Sequence, residues 1–330
     1  MNIELQAREI QPLRHTFGRI AAHTGDKPAS RYLEAMLGVQ PSEHFHYRPT
    51  WEQGMELFDA RRTAIRMADW YALRDPRQFY YATWTMARAR QQEAMEANYQ
   101  FVESRGLAGR MADAQRAHAC AVLMPLRHVA WGGNMNNCSM CSRGYGTAFT
   151  APAMFHAMDH LGVAQYLTRL GLAMDEPGVL EAGRNDWLNA AAWQPLRRLV
   201  EDLLVLQDPI ELFIAQNLAL DGLLYPLVYG SFVDEHMALH GGTAVAMLTA
   251  FMPEWHAESA RWIDAVAKAA AAESAHNRSL LSRWYLAHAD LARAALAPVA
   301  QLALDGQGAA ALAGARQALD TRARKAGLDI

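Results

Sequence analysis

The chain has 330 residues, 52% hydrophobic and 20% charged, with 31 basic against 34 acidic side chains and a formal net charge of −3. That length can bury a large core as one large domain or two ordinary ones, and the composition excludes a disordered polymer. The near balance of charge excludes an electrostatic binder of nucleic acid or of a membrane surface. The N-terminus, MNIELQAREI, has no apolar segment after a basic start, and no later stretch reads as the roughly 18 uncharged apolar residues of a membrane span. A soluble, cytoplasmic protein is expected. Three cysteines make no disulfide framework, which fits a reducing compartment.

Residues 1–75 read as an irregular N-terminal arm of the same domain as the helical region 76–330. GDKPASRYLEAM offers one short helix, and HFHYRPTWEQGMELFDARRTAIRMADW mixes aromatics and arginines without a sustained helical period. Such an arm either straps its own body or embraces a partner subunit. Asp75-Pro76 then predicts a helix start, with an N-cap aspartate and proline at the first helical position, running from Arg77 to Ser104 and closed by Arg105-Gly106. MADAQRAHACAVLMPLRHVAWGG supplies the next helix, and the two read as an antiparallel hairpin. Ala151-Pro152 leads another helix, residues 175–183 form a break, and WLNAAAWQPLRRLVEDLLVL is helical to Gln207.

Asp208-Pro209 repeats the cap and leads a long apolar helix in which Pro226 predicts a kink and Gly241-Gly242 the end. One or two long helices follow, then a shorter Ala-rich one. No strand-like alternation of useful length occurs, so the class is all-α. Two hairpins of long helices joined by a crossover suit a ferritin-like, ribonucleotide reductase-like bundle.

A di-iron centre in such a bundle takes a lone glutamate and a Glu-x-x-His from each hairpin, all turned inward. In the first hairpin Glu93 or Glu96 is the candidate lone acid, though neighbouring arginines and glutamines suggest a solvated face. The paired motif reads Pro125-Leu126-Arg127-His128, which keeps the histidine and lacks the acid. In the second, Asp221 lies inside apolar ALDGLLYPL as a candidate inward carboxylate beside Gly222. Glu258 is followed three residues later by Arg261, a group with no lone pair for a metal, and an ion pair between them is expected. One literal Glu-x-x-His remains, Glu273 to His276, on an Ala-rich helix, where Glu273, near Ser274 and Asn277, is expected to be exposed. The reading is a di-iron bundle that has largely lost its ligands.

His156 with His160, beside Asp159, and His236 with His240, beside Asp234 and Glu235, stand at i, i+4. Such pairs bind zinc if a third ligand converges, but neither is an HExxH motif, and solvated faces are expected. Cys138 and Cys141 form a literal CxxC with only Cys120 to add, outside any βαβ setting, and are expected to be structural or redox-inert. No phosphate loop, dinucleotide fingerprint or nucleophile elbow is present.

The words GDKPASRY, HFHYRPTW, DPRQFYY, PLRH followed by NMNN, AQNL.LDGLL.PL.Y and VAMLT.FM..W..ES.RW together resemble the β subunit of bacterial multicomponent phenol hydroxylases and toluene monooxygenases, relatives of methane monooxygenase. The resemblance runs from Gly25 to Asn277 and leaves the C-terminal tail and the Cys138–Cys141 stretch unmatched. It implies a non-catalytic structural subunit in aromatic hydrocarbon catabolism. The di-iron cofactor would sit in the α subunit, in a dimer of αβγ units served by a small effector protein and an NADH-dependent flavin and iron-sulfur reductase. No catalytic, cofactor-binding or metal-binding residue is then assigned to this chain. Pro125 for glutamate and Arg261 for histidine agree with that implication.

The alternatives are a di-iron oxygenase active in its own right, using Glu93 or Glu96, His128, Asp221, Glu258, Glu273 and His276, and a small-molecule binding bundle. The α contact is expected on the arm and on the helix beginning at Pro76, where Phe45, His46, Tyr47, Arg48, Trp51, Trp70, Phe79, Tyr80 and Tyr81 give an interface-like composition.

Overall fold

The computed structural model describes residues 13, 15–39, 52, 54–174 and 178–330. Phe45, His46, Tyr47, Arg48 and Trp51, part of the expected α contact, lie outside them. The described residues form helices and connecting turns, with no strand among them. Two short helices, α1 (Gly18–Thr24) and α2 (Arg31–Met36), precede the body. The arm from residue 54 to 75 lies on its own chain. Ile65, Trp70 and Leu73 are buried there, and the Asn277 side chain holds both the N–H (3.1 Å) and the carbonyl (2.7 Å) of Arg66. Trp70 is therefore part of this chain's own core rather than of an outer contact surface.

The helix expected from Pro76 begins instead at Tyr81. Asp75 does not cap it: its carboxylate is gripped by the Arg77 guanidinium at 2.9 Å, and Gln78 takes a left-handed φ of 54° that breaks any continuation from Pro76. The helix α3 (Tyr81–Ser104) then runs about 36 Å. Next come α4 (Asp113–Leu123), α5 (Leu126–Arg143) and α6 (Thr147–Met174). Pro125 separates α4 from α5 and stands at the N-cap of α5, so the segment read as one helix is two.

After α7 (Gly178–Asn189), α8 (Gln194–Leu204) turns Leu196, Leu199, Val200 and Leu203 inward and its charged residues outward, the apolar spacing of a one-sided helix. Asp208 caps α9 (Pro209–His240) as expected, accepting from the N–H groups of Ile210 (2.8 Å) and Glu211 (3.1 Å). By length and composition α9 is apolar enough to cross a membrane, contrary to the sequence reading, yet 94% of its most apolar window is buried inside the protein. Its residues Ile214–Leu220 and Pro226–Met237 take the wider π-helical turn, so Pro226 opens a π stretch where a kink was expected. Gly241, at φ 91°, ends the helix with the left-handed turn that glycine adopts at no steric cost. The remainder is α10 (Thr243–Thr249), α11 (Phe251–Glu273), α12 (Ala275–Leu304) and α13 (Gly308–Lys325).

The pairing differs from the expected hairpins. The most extensive helix contact joins α5 to α6, and α5, α6, α9 and α11 close into a four-helix ring with α12 packed on α9 from outside. Helix α3, expected to pair with the following segment, instead lies outside this ring and reaches α6 through side chains. The ring's interior carries the polar residues described next.

Candidate functional site

Helix α6 carries His156 and His160 one turn apart on its inner face, and α9 brings Asp221 opposite them. All three side chains are 1–3% exposed, so the solvated face expected for this histidine pair is wrong. Asp221 Oδ2 lies 3.2 Å from His160 Nε2 and 3.7 Å from His156 Nε2. One donor atom from each residue falls within 4.8 Å of the others, the one such grouping of histidine, cysteine and carboxylate among the described residues. The rings are wedged by aromatics. His156 stacks on Trp255 at 4.8 Å and meets Trp262 at 5.4 Å, and His160 stands edge-on to Trp255 at 5.0 Å. Gly133 of α5 makes the room, since a Cβ there would come within 2.7 Å of the His160 ring.

The carboxylate is aimed by an amide relay. Asp221 Oδ1 accepts from Gln216 Nε2 (2.9 Å), whose Oε1 accepts from Asn136 Nδ2 (2.8 Å). Gln216 and Asp221 are five residues apart, the spacing a π turn brings into register. Asn137 and Asn217 form a reciprocal amide pair at 2.9–3.0 Å one step along the same layer. Burial alone would push the Asp221 carboxyl up. The facing His160 and His156 imidazoles outweigh it and hold the carboxyl well below the usual range. Burial pushes His156 down to about 4.

Asp159, between the two histidines in sequence, turns the other way into an ion-pair cluster. It takes the Arg88 fork at 2.6 and 2.7 Å and the indole N–H groups of Trp84 (3.0 Å) and Trp255 (2.9 Å). Arg88 also reaches Glu258 at 2.9 and 3.1 Å, and Arg77 reaches the same carboxylate at 3.3 Å. Desolvation would lower the Arg88 guanidinium, but the paired Asp159 and Glu258 carboxylates raise it further. The expected Glu258–Arg261 pair is absent: Arg261 is exposed, and Glu258 is held by arginines from α3 and the loop before it.

The other sequence candidates are dispersed. Glu93 and Glu96 are exposed on α3, outside the ring, and Glu96 pairs with Arg169. His128 sits in the first turn of α5, half-buried and stacked on Trp187 at 5.7 Å, with burial lowering its pKa. Glu273 ends α11 and His276 belongs to α12. The extended Ser274 between them separates the two faces, and both residues are exposed, as was expected for Glu273. His240 is exposed and His236 half-buried, consistent with a surface pair. Cys138 and Cys141 stand on α5. Burial raises both thiols, Cys141 to about 11, which keeps them protonated and weakly nucleophilic.

A carboxylate-bridged iron pair requires four carboxylates and two histidines converging from the ring helices. Here α5 offers two amides, α6 two imidazoles, α9 one carboxylate, and α11 indoles and Ser259. These residues do not fit an iron pair.

The model of the methane/phenol/alkene hydroxylase family matches residues 49–274. The chain belongs to this family. Along its whole length it is 44% identical to the oxygenase component DmpL of phenol 2-monooxygenase from Pseudomonas sp. (strain CF600), covering 99% of this chain and 98% of that one. It is 41% identical to the corresponding component MhpL of Acinetobacter pittii (strain PHEA-2), with the same coverage. The likeness thus includes the C-terminal tail that the sequence words left unmatched. Among solved structures, xenon-pressurized phenol hydroxylase from Pseudomonas sp. OX1 superposes with a TM-score of 0.93 at 41% identity over 99% of both chains. Toluene 4-monooxygenase gives 0.73 at 17% identity over 92% of this chain and 99% of that one, a likeness of fold. The family words NMNN and AQNL.LD now have a physical meaning: Asn136 and Asn137 meet Gln216, Asn217 and Asp221 across the interior of the ring.

Proposed function

We propose that this chain is the non-catalytic β subunit of the di-iron hydroxylase in a multicomponent aromatic monooxygenase, acting on phenol or related aromatics with O2 and NADH-derived electrons. The observation that carries the reading is the ring interior. Where an iron pair needs four carboxylates, this chain has an amide layer, two histidines and one aspartate, in a sequence aligned end to end with phenol monooxygenase oxygenase components. The catalytic iron then belongs to an α subunit, and this chain braces it within a dimer of αβγ units. A small effector protein and a flavin and iron-sulfur reductase complete the system in the cytoplasm. Packed amides and ion pairs suit such a brace, because the Asn136–Gln216–Asp221 relay, the Asn137–Asn217 pair and the Arg88–Asp159 pair tie neighbouring helices in one register.

Iron is determined on this chain purified alone from iron-replete cells, and phenol hydroxylation is measured on the hydroxylase assembled with α and γ. The expected result is no iron pair on the chain alone, and hydroxylation that requires the chain yet survives Asp221→Asn within it. Two irons per chain, with an absorption band that oxygen and reductant alter, overturns the reading.

A further inference from the structure

We propose that His156, His160 and Asp221 bind a single divalent transition-metal ion of the zinc or ferrous class, a structural site inside the four-helix ring that is independent of any catalytic iron. Three observations converge. The first is geometry. Tetrahedral coordination with bonds of about 2.0–2.1 Å places neighbouring donors about 3.3 Å apart, and Asp221 Oδ2 stands 3.2 Å from His160 Nε2 and 3.7 Å from His156 Nε2. Two imidazoles from α6 at i, i+4, with a carboxylate from α9 opposite them, suit zinc and iron(II). Magnesium and calcium prefer all-oxygen sites.

The second is hydrogen bonding. Among the described residues, Asp221 Oδ2 and all four ring nitrogens of His156 and His160 have no hydrogen-bond partner, although every one of these atoms is buried. A buried polar atom left unpaired costs about 1–3 kcal/mol, so the three that face one another, Asp221 Oδ2 and the two Nε2 atoms, need a common partner. One proton between Asp221 and one histidine satisfies a single pair and leaves the second Nε2 facing the same carboxylate. A cation accepts a lone pair from all three side chains at once.

The third is support. Gln216, held by Asn136, fixes the other oxygen of Asp221 at 2.9 Å, the outer hydrogen bond that orients a ligating carboxylate. Gly133 and Trp255 fix the two rings. The neighbouring ion-pair cluster, Asp75, Asp159 and Glu258 against Arg77 and Arg88, carries one uncompensated negative charge. A divalent ion bound by Asp221 leaves one positive charge beside it. The site offers no second carboxylate, so it takes one ion and not two. The inference stands whether or not the chain serves as the bracing subunit.

The test uses the full chain, stripped with a chelator and titrated with Zn2+, and with Co2+ as a visible probe of coordination. The expected result is one ion per chain and, for Co2+, the intense visible bands of a four-coordinate site with nitrogen and oxygen ligands. His156→Gln and His160→Gln each weaken binding more than 100-fold, and Gln216→Leu, which removes only the outer support, weakens it about 10- to 100-fold. Circular dichroism selects the variants that keep the fold, and the Co2+ spectrum of the unaltered chain needs no variant at all. No saturable binding by the unaltered chain, binding that persists in the folded His156→Gln/His160→Gln double variant, or a stoichiometry of two overturns the proposal.

Discussion

Replacing Arg88 by methionine tests whether the charged cluster beside the ring holds the fold together. The guanidinium is 13% exposed and Asp159 2% exposed, with four short contacts to Asp159 and Glu258 between 2.6 and 3.1 Å. Methionine keeps the aliphatic stem and leaves both carboxylates without their shared partner. Neither is wholly orphaned. Asp159 retains the indole donors of Trp84 and Trp255, and Glu258 retains Arg77 at 3.3 Å. Breaking one side of a buried ion pair costs about 3–5 kcal/mol, and these residual donors place the variant near the lower end, about 3 kcal/mol. An exposed pair would cost about 1 kcal/mol or less.

The assay is urea unfolding of the full chain followed by tryptophan fluorescence, which reports on this spot because two indoles donate to Asp159. Neutralising the stranded carboxylate in Arg88→Met/Asp159→Asn is expected to recover part of the loss, so that the double variant costs less than the two single variants together. A loss below about 1 kcal/mol for Arg88→Met, or strict additivity in the double variant, refutes a coupled, buried cluster.

Gly133→Ala pushes a methyl to within 2.7 Å of His160 and is expected to cost about 1–3 kcal/mol. Gly162→Ala on α6, with nothing within 4 Å, is expected to be neutral or stabilising by up to about 1 kcal/mol. Equal thermal shifts in the two would refute the carved seat for His160. Asn137→Leu strands the Asn217 amide and costs about 1–3 kcal/mol. Asn137→Leu/Asn217→Leu recovers part of it, and chemical denaturation shows whether it does. Acid sensitivity is expected from His256, which burial, and then Arg322, pushes down to about 4. Its ring is neutral in the fold and gains a proton on unfolding at any pH below about 6.5. Its contribution is therefore intact above that pH and lost as pH falls toward 4. Denaturation midpoints of His256→Gln are expected to fall less steeply across that window than those of the unaltered chain.

What the sequence made legible was local. Asp208 caps α9 and Gly241 ends it because an N-cap carboxylate and a left-handed glycine act on the four or five residues beside them. Asp75-Pro76 carries the same two letters and fails. Arg77, two residues on, takes the carboxylate, and Gln78 turns the chain. Whether an aspartate caps a helix or anchors an arginine depends on the company that residues 88 and 258 bring, which is not local information.

The pairing of helices was beyond the sequence for the same reason. Each long helix reads as a candidate partner for the next, and adjacency favoured α3 with the segment around His128. The apolar surfaces that actually meet belong to α5 and α6. Pairing by adjacency brings Glu93 and Glu96 of α3 into the interior and leaves His156 and His160 of α6 out of it, the reverse of what the structure has. Both halves of the interior site were nonetheless visible: two histidines one turn apart, and an aspartate isolated in ALDGLLYPL. They were read separately because more than sixty residues lie between His156 and Asp221. The available signal was their shared setting. His156 follows Ala153 and Phe155 and precedes Ala157, as apolar a run as the one around Asp221, and a charged or titratable residue at the centre of such a run has to find its partner on another helix. Sorting polar residues by how apolar their own helix turn is, rather than by proximity in the chain, places Gln216, Asn217 and Asp221 together, whereas Asn136 and Asn137, among Asn134, Cys138 and Ser139, are identified only by the partners they meet. The same criterion separates Gln216, Asn217 and Asp221 from Glu93, which follows Gln91 and Gln92 and faces solvent, but not from Glu273, which follows four alanines and is exposed all the same.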